Sequence, residues 1–310
     1  MKSMVIGAAG FAGGYMTDYL SEVLHHEVVA TKLPTDNYIN TNPKVQVEDL
    51  DLENPIAVFQ LLNETRPDFI CNFASQNSIG FTWGNPGIAV DTNIKGSINL
   101  LEAARQLERS PRILLIGSGE EYGLNNSRIK EDTVLHPGNI YGATKACQNM
   151  LASIYVRAYH MDIVMARIFN DIGPGQSANF AASNFCRQIA DIEKGLQEPV
   201  IYVGNLSSQR TFTDIRDAVR AYALLGQKGI SGEIYNVAGN EVHTIQDMLD
   251  ILLSLAKCGI TVKVDPDRLR PVDVPYLAAD ITKIKEALGW QAEIPFEQTL
   301  ADMLDYWRHR

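Results

Sequence analysis

The sequence predicts an α/β fold: a parallel, doubly wound sheet joined to a smaller mixed α/β module. Three observations carry this. Short apolar runs alternate with stretches of helical periodicity across the first 170 residues or so. Runs such as Arg112-Ile-Leu-Leu-Ile116 show no polar alternation, as expected of strands covered on both faces. A glycine-rich turn follows the first apolar run directly and opens a helical segment.

Taken in order, Met4–Gly7 is a short strand and Phe11–Leu24 a helix with Phe11, Met16, Tyr19, Leu20 and Leu24 as its apolar positions. Glu27–Thr31 and Val45–Asp49 read as the next strands, Pro55–Thr65 as a helix and Phe69–Phe73 as a strand. Asp91–Leu107 is a long helix, Arg112–Ile116 a buried strand, Tyr141–Tyr159 a helix and Asp162–Arg167 a strand. After Asn170 the texture changes. Asn184–Lys194 and Thr244–Ala256 read as helices, with short strands at Val200–Val203 and Glu233–Val237. The expected division is a nucleotide-binding domain over 1–170 and a substrate module over 171–310, with some later segments returning to the main sheet. A pocket between the two is the default place for a ligand.

Composition narrows the function. A formal charge of −10 argues against a sequence-independent nucleic-acid binder, which needs a basic footprint. The four cysteines form no CxxC pair and the six histidines no HExxH spacing, so no metal site is expected. The opening MKSMVIG stretch is too short and too glycine-rich for a secretion leader and reads as a strand. No run of about 18 apolar residues occurs, so no membrane span is expected and the cytoplasm is the expected compartment.

Two motifs carry chemistry. Gly7-Ala-Ala-Gly10-Phe11-Ala12-Gly13 lies between a strand and a helix, where glycines permit a tight turn and a helix N-terminus offers free N–H groups to a pyrophosphate. This is the fingerprint of a Rossmann-type dinucleotide site. The residues ending the second strand are Thr31-Lys32-Leu33, without the acid that selects NAD; Lys32 suits a 2′-phosphate and favours NADP over NAD. Tyr141 and Lys145 stand four apart on one helix face, a spacing at which an ammonium favours the phenolate and readies the tyrosine for proton transfer. Ser118 follows the Arg112–Ile116 strand, at the edge where such sheets bind ligands.

Ser118, Tyr141 and Lys145 together with GxxGFxG resemble the extended short-chain dehydrogenase/reductase family, and the likeness runs along nearly the whole chain. It implies that Asp51 and Leu52 meet the adenine, that Phe73, Ala74 and Ser75 line the cofactor, and that Asn93 belongs to the NxxGxxNLLEA helix. Within the family the likeness is to the GDP-mannose branch, first to its 4-keto reductases and next to its 4,6-dehydratases. The segments that carry it are 117–123, 203–210 and 269–277. The resemblance implies an NAD(P)H-dependent reduction of the C4 ketone of a GDP-4-keto-6-deoxyhexose. It implies a substrate pocket drawn from Asn170, Arg187, Asn205, Arg210, Arg270 and Asp273. Arginine forks match phosphate oxygens in two-point contacts. It also implies a homodimer made by the Asn93 and Tyr141 helices, the second of which carries Met150, Leu151, Ile154 and Tyr155 in a stripe.

Two departures matter. Thr211 follows Arg210 where the family commonly has an acid, and Gly119 follows Ser118 where a dehydratase carries a hydroxyl or carboxyl. Glu120 remains at the dehydratase's acid/base position. The alternatives are therefore a 4,6-dehydratase or a nucleotide-sugar epimerase using the same triad. A non-catalytic dinucleotide sensor typically lacks the tyrosine or the lysine, and this chain has both.

Overall fold

Seven short strands build the main sheet of the computed structural model, which describes residues 1–125, 127–268 and 274–310. They are β1 (Lys2–Ile6), β2 (Glu27–Lys32), β3 (Val45–Asp49), β4 (Phe69–Asn72), β5 (Arg112–Ser118), β6 (Ile163–Ile168) and β7 (Ile234–Val237). All neighbours are parallel, in the order β3-β2-β1-β4-β5-β6-β7. The order reverses between β1 and β4, so a crevice opens at their carboxyl ends, where such sheets hold ligands.

The longer helices are α1 (Phe11–Asp18), α2 (Pro55–Thr65), α3 (Gly96–Arg105), α4 (Ile140–Tyr159), α5 (Ala181–Glu193), α6 (Ile215–Lys228), α7 (Ile245–Ser254) and α8 (Phe296–Arg308). One face of the sheet is covered by α1 and α6 through Met16, Leu20, Val219 and Tyr222, with Trp290 packed beside them. The other is covered by α2, α3 and α4 through Val58, Leu62, Leu100, Leu101 and Ala152. Burying such a side chain contributes about 1.5–3 kcal/mol relative to leaving it exposed. This double cover is why the central strands lack polar alternation.

A second core lies among α5, α7 and α8, from Phe185, Ile189, Met248, Leu252, Leu300 and Leu304. Beside it, Gln209–Thr211 is flanked by Val242–Thr244 on one side and Tyr276–Leu277 on the other. Residues beyond 170 also serve the main sheet: they supply β7, its covering helix α6 and the buried Trp290.

Two of the expected helices differ from the sequence reading in an instructive way. The Phe11–Leu24 helix narrows to α1 and continues as a wide turn at Tyr19–Val23. The Asp91–Leu107 helix is preceded by a turn of helix at Pro86–Val90 and passes through a second wide turn at Asp91–Lys95 before α3. Wide turns of this kind frequently mark functional positions. Here the turn carries Asn93, which is fully buried and faces α4.

Candidate active site

The glycine-rich turn is built for close backbone approach. Gly7 has φ +80°, and a Cβ there would lie 2.8 Å from the Ala74 amide nitrogen, at the opening between β1 and β4. A Cβ on Gly13 would run into the Gly7 carbonyl, so this glycine lets α1 sit tightly on the turn. Gly10 is the N-cap of α1 and offers no side-chain cap, which leaves the first amides of the helix, at Phe11 and Ala12, to a ligand. Phe11 stacks edge-on with Tyr15, whose hydroxyl donates to the Pro174 carbonyl at 2.9 Å and so ties the turn to the start of the later segment.

Asp51, Leu52 and Lys32, expected on the adenosine side, lie as follows. Asp51 is exposed and accepts the Glu53 amide, and Leu52 is buried against Gly96. Lys32, ending β2, donates to Asp49 of the neighbouring strand at 2.6 Å. Thr31 Oγ1 and Asn72 Nδ2 flank Ile6 in the same register row, and both are buried with no hydrogen-bond partner among the described residues. Orphaned buried polar groups at the ends of β2 and β4 fit a polar ligand such as a dinucleotide.

Asn93 knits the cofactor side to the reacting side. Its Oδ1 accepts from Ser75 Oγ and the Gln76 amide, and its Nδ2 donates to the Gln76 carbonyl and to Thr144 Oγ1 on α4 at 2.9 Å. Phe73 donates its amide to the Ile6 carbonyl and Ala74 donates to Asn72 Oδ1, which fixes the strand end behind them.

Ser118, Tyr141 and Lys145 come together at the junction of β5 and α4. Ser118 caps the short helix Gly119–Glu121, its Oγ accepting the Glu120 amide at 3.1 Å. The Tyr141 phenol is pushed well above its ordinary pKa by burial, and a hydrogen bond from the Ser118 side chain acts against that rise. Asp171, Glu121 and Glu120 add to it. Lys145 is 2% exposed, and its Nζ donates to the Ile116 carbonyl at 2.7 Å and to Gln148. Burial lowers the ammonium pKa to about 8, with Glu121 opposing the drop. Lys145 is thus held toward β5, and the groups that set Tyr141 are burial, Ser118 and three carboxylates. The resulting phenol stays protonated at neutral pH, which suits a proton donor.

Glu120 is half-buried, and its carboxylate accepts from Asn139 Nδ2 at 2.8 Å. Asn139 is the N-cap of α4 and accepts the Gly142 amide at 2.8 Å, so Glu120 helps anchor the helix that carries Tyr141. Gly119 has no room for a side chain: a Cβ would sit 2.8 Å from the Phe169 ring.

The residues expected to meet the substrate are partly assembled. Asn170, two residues past β6, has a left-handed conformation, φ +42°, and donates to the Thr211 carbonyl at 3.0 Å. Arg210, beside Thr211, is buried and donates to the Gln209 carbonyl at 2.9 Å; His243 lies opposite it in the register. Asn205 organises the turn before that strand, accepting from Ser207 and donating to Ser208. Arg187 is exposed on α5 and makes no hydrogen bond or ion pair among the described residues. Arg270 and Asp273 lie outside the described residues. Sequence reasoning missed Asn139, whose position two before Tyr141 is a cap signal. It also missed Asp171, whose carboxyl pKa burial raises to about 6.

The chain belongs to the GDP-mannose 4,6 dehydratase family, whose model matches residues 4–303. The GDP-6-deoxy-D-mannose reductase of Pseudomonas aeruginosa is 28% identical over 312 residues, covering 100% of this chain and 98% of that protein. The solved structure of RMD from Pseudomonas aeruginosa complexed with NADPH superposes with a TM-score of 0.87 at 27% identity, covering 100% of this chain and 99% of the other. The Thermus thermophilus UDP-glucose 4-epimerase complex with NAD gives 0.89 at 26% identity, covering 99% of both chains.

The reading of Tyr141 as a proton donor is tested by replacing it with Phe, which removes the phenolic hydroxyl and little else. Turnover should fall roughly 10²–10⁴-fold while cofactor affinity stays within a few-fold. Steady-state kinetics and cofactor titration check this; a variant keeping more than about a tenth of wild-type turnover would remove Tyr141 from the chemistry.

Proposed function

We propose that the protein is an NADPH-dependent nucleotide-sugar reductase that converts a GDP-4-keto-6-deoxyhexose to GDP-6-deoxy-D-mannose. The observation that carries this reading is the contact of Gly119 with Phe169. Eliminating water from a hexose needs an acid and a base beyond the tyrosine, and position 119 has no space for either. The remaining candidate, Glu120, is engaged by the cap of α4. Ketone reduction needs neither group. NADPH, when bound, supplies the hydride to C4. Tyr141 gives its phenolic proton to the oxygen of that carbon and is reprotonated from solvent. Ser118 accepts the Glu120 amide on its oxygen, and its own proton, directed at the Tyr141 oxygen in this structure, turns to the substrate oxygen when the ketone is bound. Stabilising that developing oxyanion is the largest contribution the site can make.

NADP is favoured over NAD because β2 ends in Lys32, oriented by Asp49, and carries no acid of its own at that end. Arg210 and Asn170, joined through Thr211, suit the diphosphate and sugar of the substrate, and the family resemblance adds Arg187, Asn205, Arg270 and Asp273 to the same role. The cytoplasm suits a protein whose four cysteines are all free thiols, and among the described residues no helix is long and apolar enough to cross a membrane.

We further propose a homodimer. On α4, Met150 is 57% and Ile154 47% exposed, and Ile88 and Val90 are exposed on the neighbouring Pro86–Val90 turn of helix. Tyr155, expected in the same stripe, instead turns inward and donates to Glu102 at 2.7 Å. The exposed positions make one apolar face suited to a second copy.

The first test supplies either GDP-mannose with catalytic NADP or the 4-keto-6-deoxy sugar nucleotide with NADPH. NADPH should be consumed only with the keto sugar; steady conversion of GDP-mannose to the keto product would make the protein a dehydratase. For assembly, light scattering should give a dimer at micromolar concentration, and Met150→Glu with Ile154→Glu should give a folded monomer. A wild-type monomer, or a dimer that ignores both changes, would overturn this interface.

A further inference from the structure

The ammonium that ends β2 is shared with an acid from the next strand. Lys32 Nζ donates to Asp49 Oδ1 at 2.6 Å and to the Leu33 carbonyl at 3.3 Å. Asp49 ends β3 and stands directly opposite Lys32 in the parallel register. The main chain fixes both ends of this contact: the Leu50 amide donates to the Lys32 carbonyl, and the Ala8 amide of the glycine-rich turn to the Thr31 carbonyl, each at 2.8 Å. The Lys32 side chain is only 16% exposed, against 57% for Asp49. The ammonium is therefore held between the strand ends, while the carboxylate stays open to whatever approaches. A second acid follows closely in the chain: Asp36 accepts the Leu33 amide at 3.2 Å and folds the loop after β2 back on the strand end.

A partly exposed ion pair contributes little to stability, so the fold gives a poor account of Asp49. The ligand gives a better one. An ammonium has three donors, and Asp49 and Leu33 take two of those on Lys32. A phosphate oxygen on the third donor would come within about 4–5 Å of the Asp49 oxygen, given the tetrahedral spread of the N–H bonds. Like charges at that separation repel. NADP brings a phosphate to the adenosine ribose at this strand end, whereas NAD brings a hydroxyl and no charge. The repulsion therefore falls on one cofactor and spares the other.

We infer that Asp49 is a specificity-determining residue: by sharing Lys32 it weakens the hold on a 2′-phosphate, so that the site takes NAD as well as NADP. The inference rests on the reading of Lys32 as the partner of that phosphate, and it places the limit on discrimination in the neighbouring strand. NADP keeps its advantage, held to roughly tenfold or less, the scale of a partly exposed charge contact.

The test is Asp49→Asn, which keeps the size of the side chain and removes its charge on an exposed edge strand. Calorimetric titration of NADP and of NAD, with no sugar present, reads the outcome. NADP should bind roughly three- to tenfold more tightly than to the unaltered protein, and NAD should stay within about twofold. The gain should shrink as salt is raised. It should vanish when Lys32→Met is added, because the charge competed for is then gone. Adenosine 2′,5′-bisphosphate and 5′-AMP should show the same contrast, which places the effect at the ribose. Unchanged NADP binding, or a tightening shared equally by NAD, would overturn the inference. Weaker NADP binding would overturn it as well, because Asp49 would then be presenting Lys32 to the phosphate. These affinities are read without substrate, so a keto sugar that proves not to be reduced would count against the proposed reaction and leave them standing.

Discussion

The site depends on how closely the end of β5 can approach the first turn of α4. Ser118 is on one side of that seam and Tyr141 on the other, and a proton can pass between substrate and protein only if they stay within hydrogen-bond reach. The approach is permitted by missing side chains. A Cβ on Gly142 would collide with the Glu120 carbonyl, one on Gly119 with the Phe169 ring, and one on Gly117 with Glu121 and Asn149. Gly123, at φ +66°, turns the chain away where a Cβ would meet the His136 carbonyl. The crowding at Gly119 also leaves no space for a side chain there, which suits the proposed reduction.

Polar groups then hold the seam in one arrangement. Asn93, Asn139, Glu121 and Arg167 are each bonded to at least two separate segments. In a low-dielectric interior such networks are strong when every member is satisfied and costly when one is removed. They rigidify the reacting side, whereas the substrate side is built on short strands and turns. Preorganisation of this kind lets a modest set of hydrogen bonds stabilise an oxyanion without reorganising during the reaction.

Much of the fold was legible because the central strands β1, β4, β5 and β6 are buried and read as largely apolar runs. β3 and Val200–Val203 fall where the sequence places them, and the glycine turn sits where its spacing requires. Legibility failed where structure is set by distant contacts. The wide turn at Asp91–Lys95 aims Asn93 inward, and nothing local in DTNIK announces it. Glu121 reads as one more acid in a surface turn, since its partner Arg167 is 46 residues away. Helix α6 was readable, with Ile215, Val219, Tyr222 and Leu225 on one buried face, but it lies beyond the change of texture after Asn170. Lys145 shows the limit of motif spacing: four residues from Tyr141 places it on the right face, yet its Nζ is drawn to the Ile116 carbonyl.

The central claim is that this site moves a hydride to the C4 carbon of a keto sugar while Tyr141 supplies the proton. The most direct measurement uses NADPH deuterated at the transferable position of its nicotinamide, with the GDP-4-keto-6-deoxy sugar, and locates the label in the product by NMR. Deuterium fixed at C4 of the sugar, with the adjacent hydroxyl proton taken from solvent, is the expected result. A product carrying no deuterium at C4, or a cofactor that returns unchanged after turnover, would contradict it.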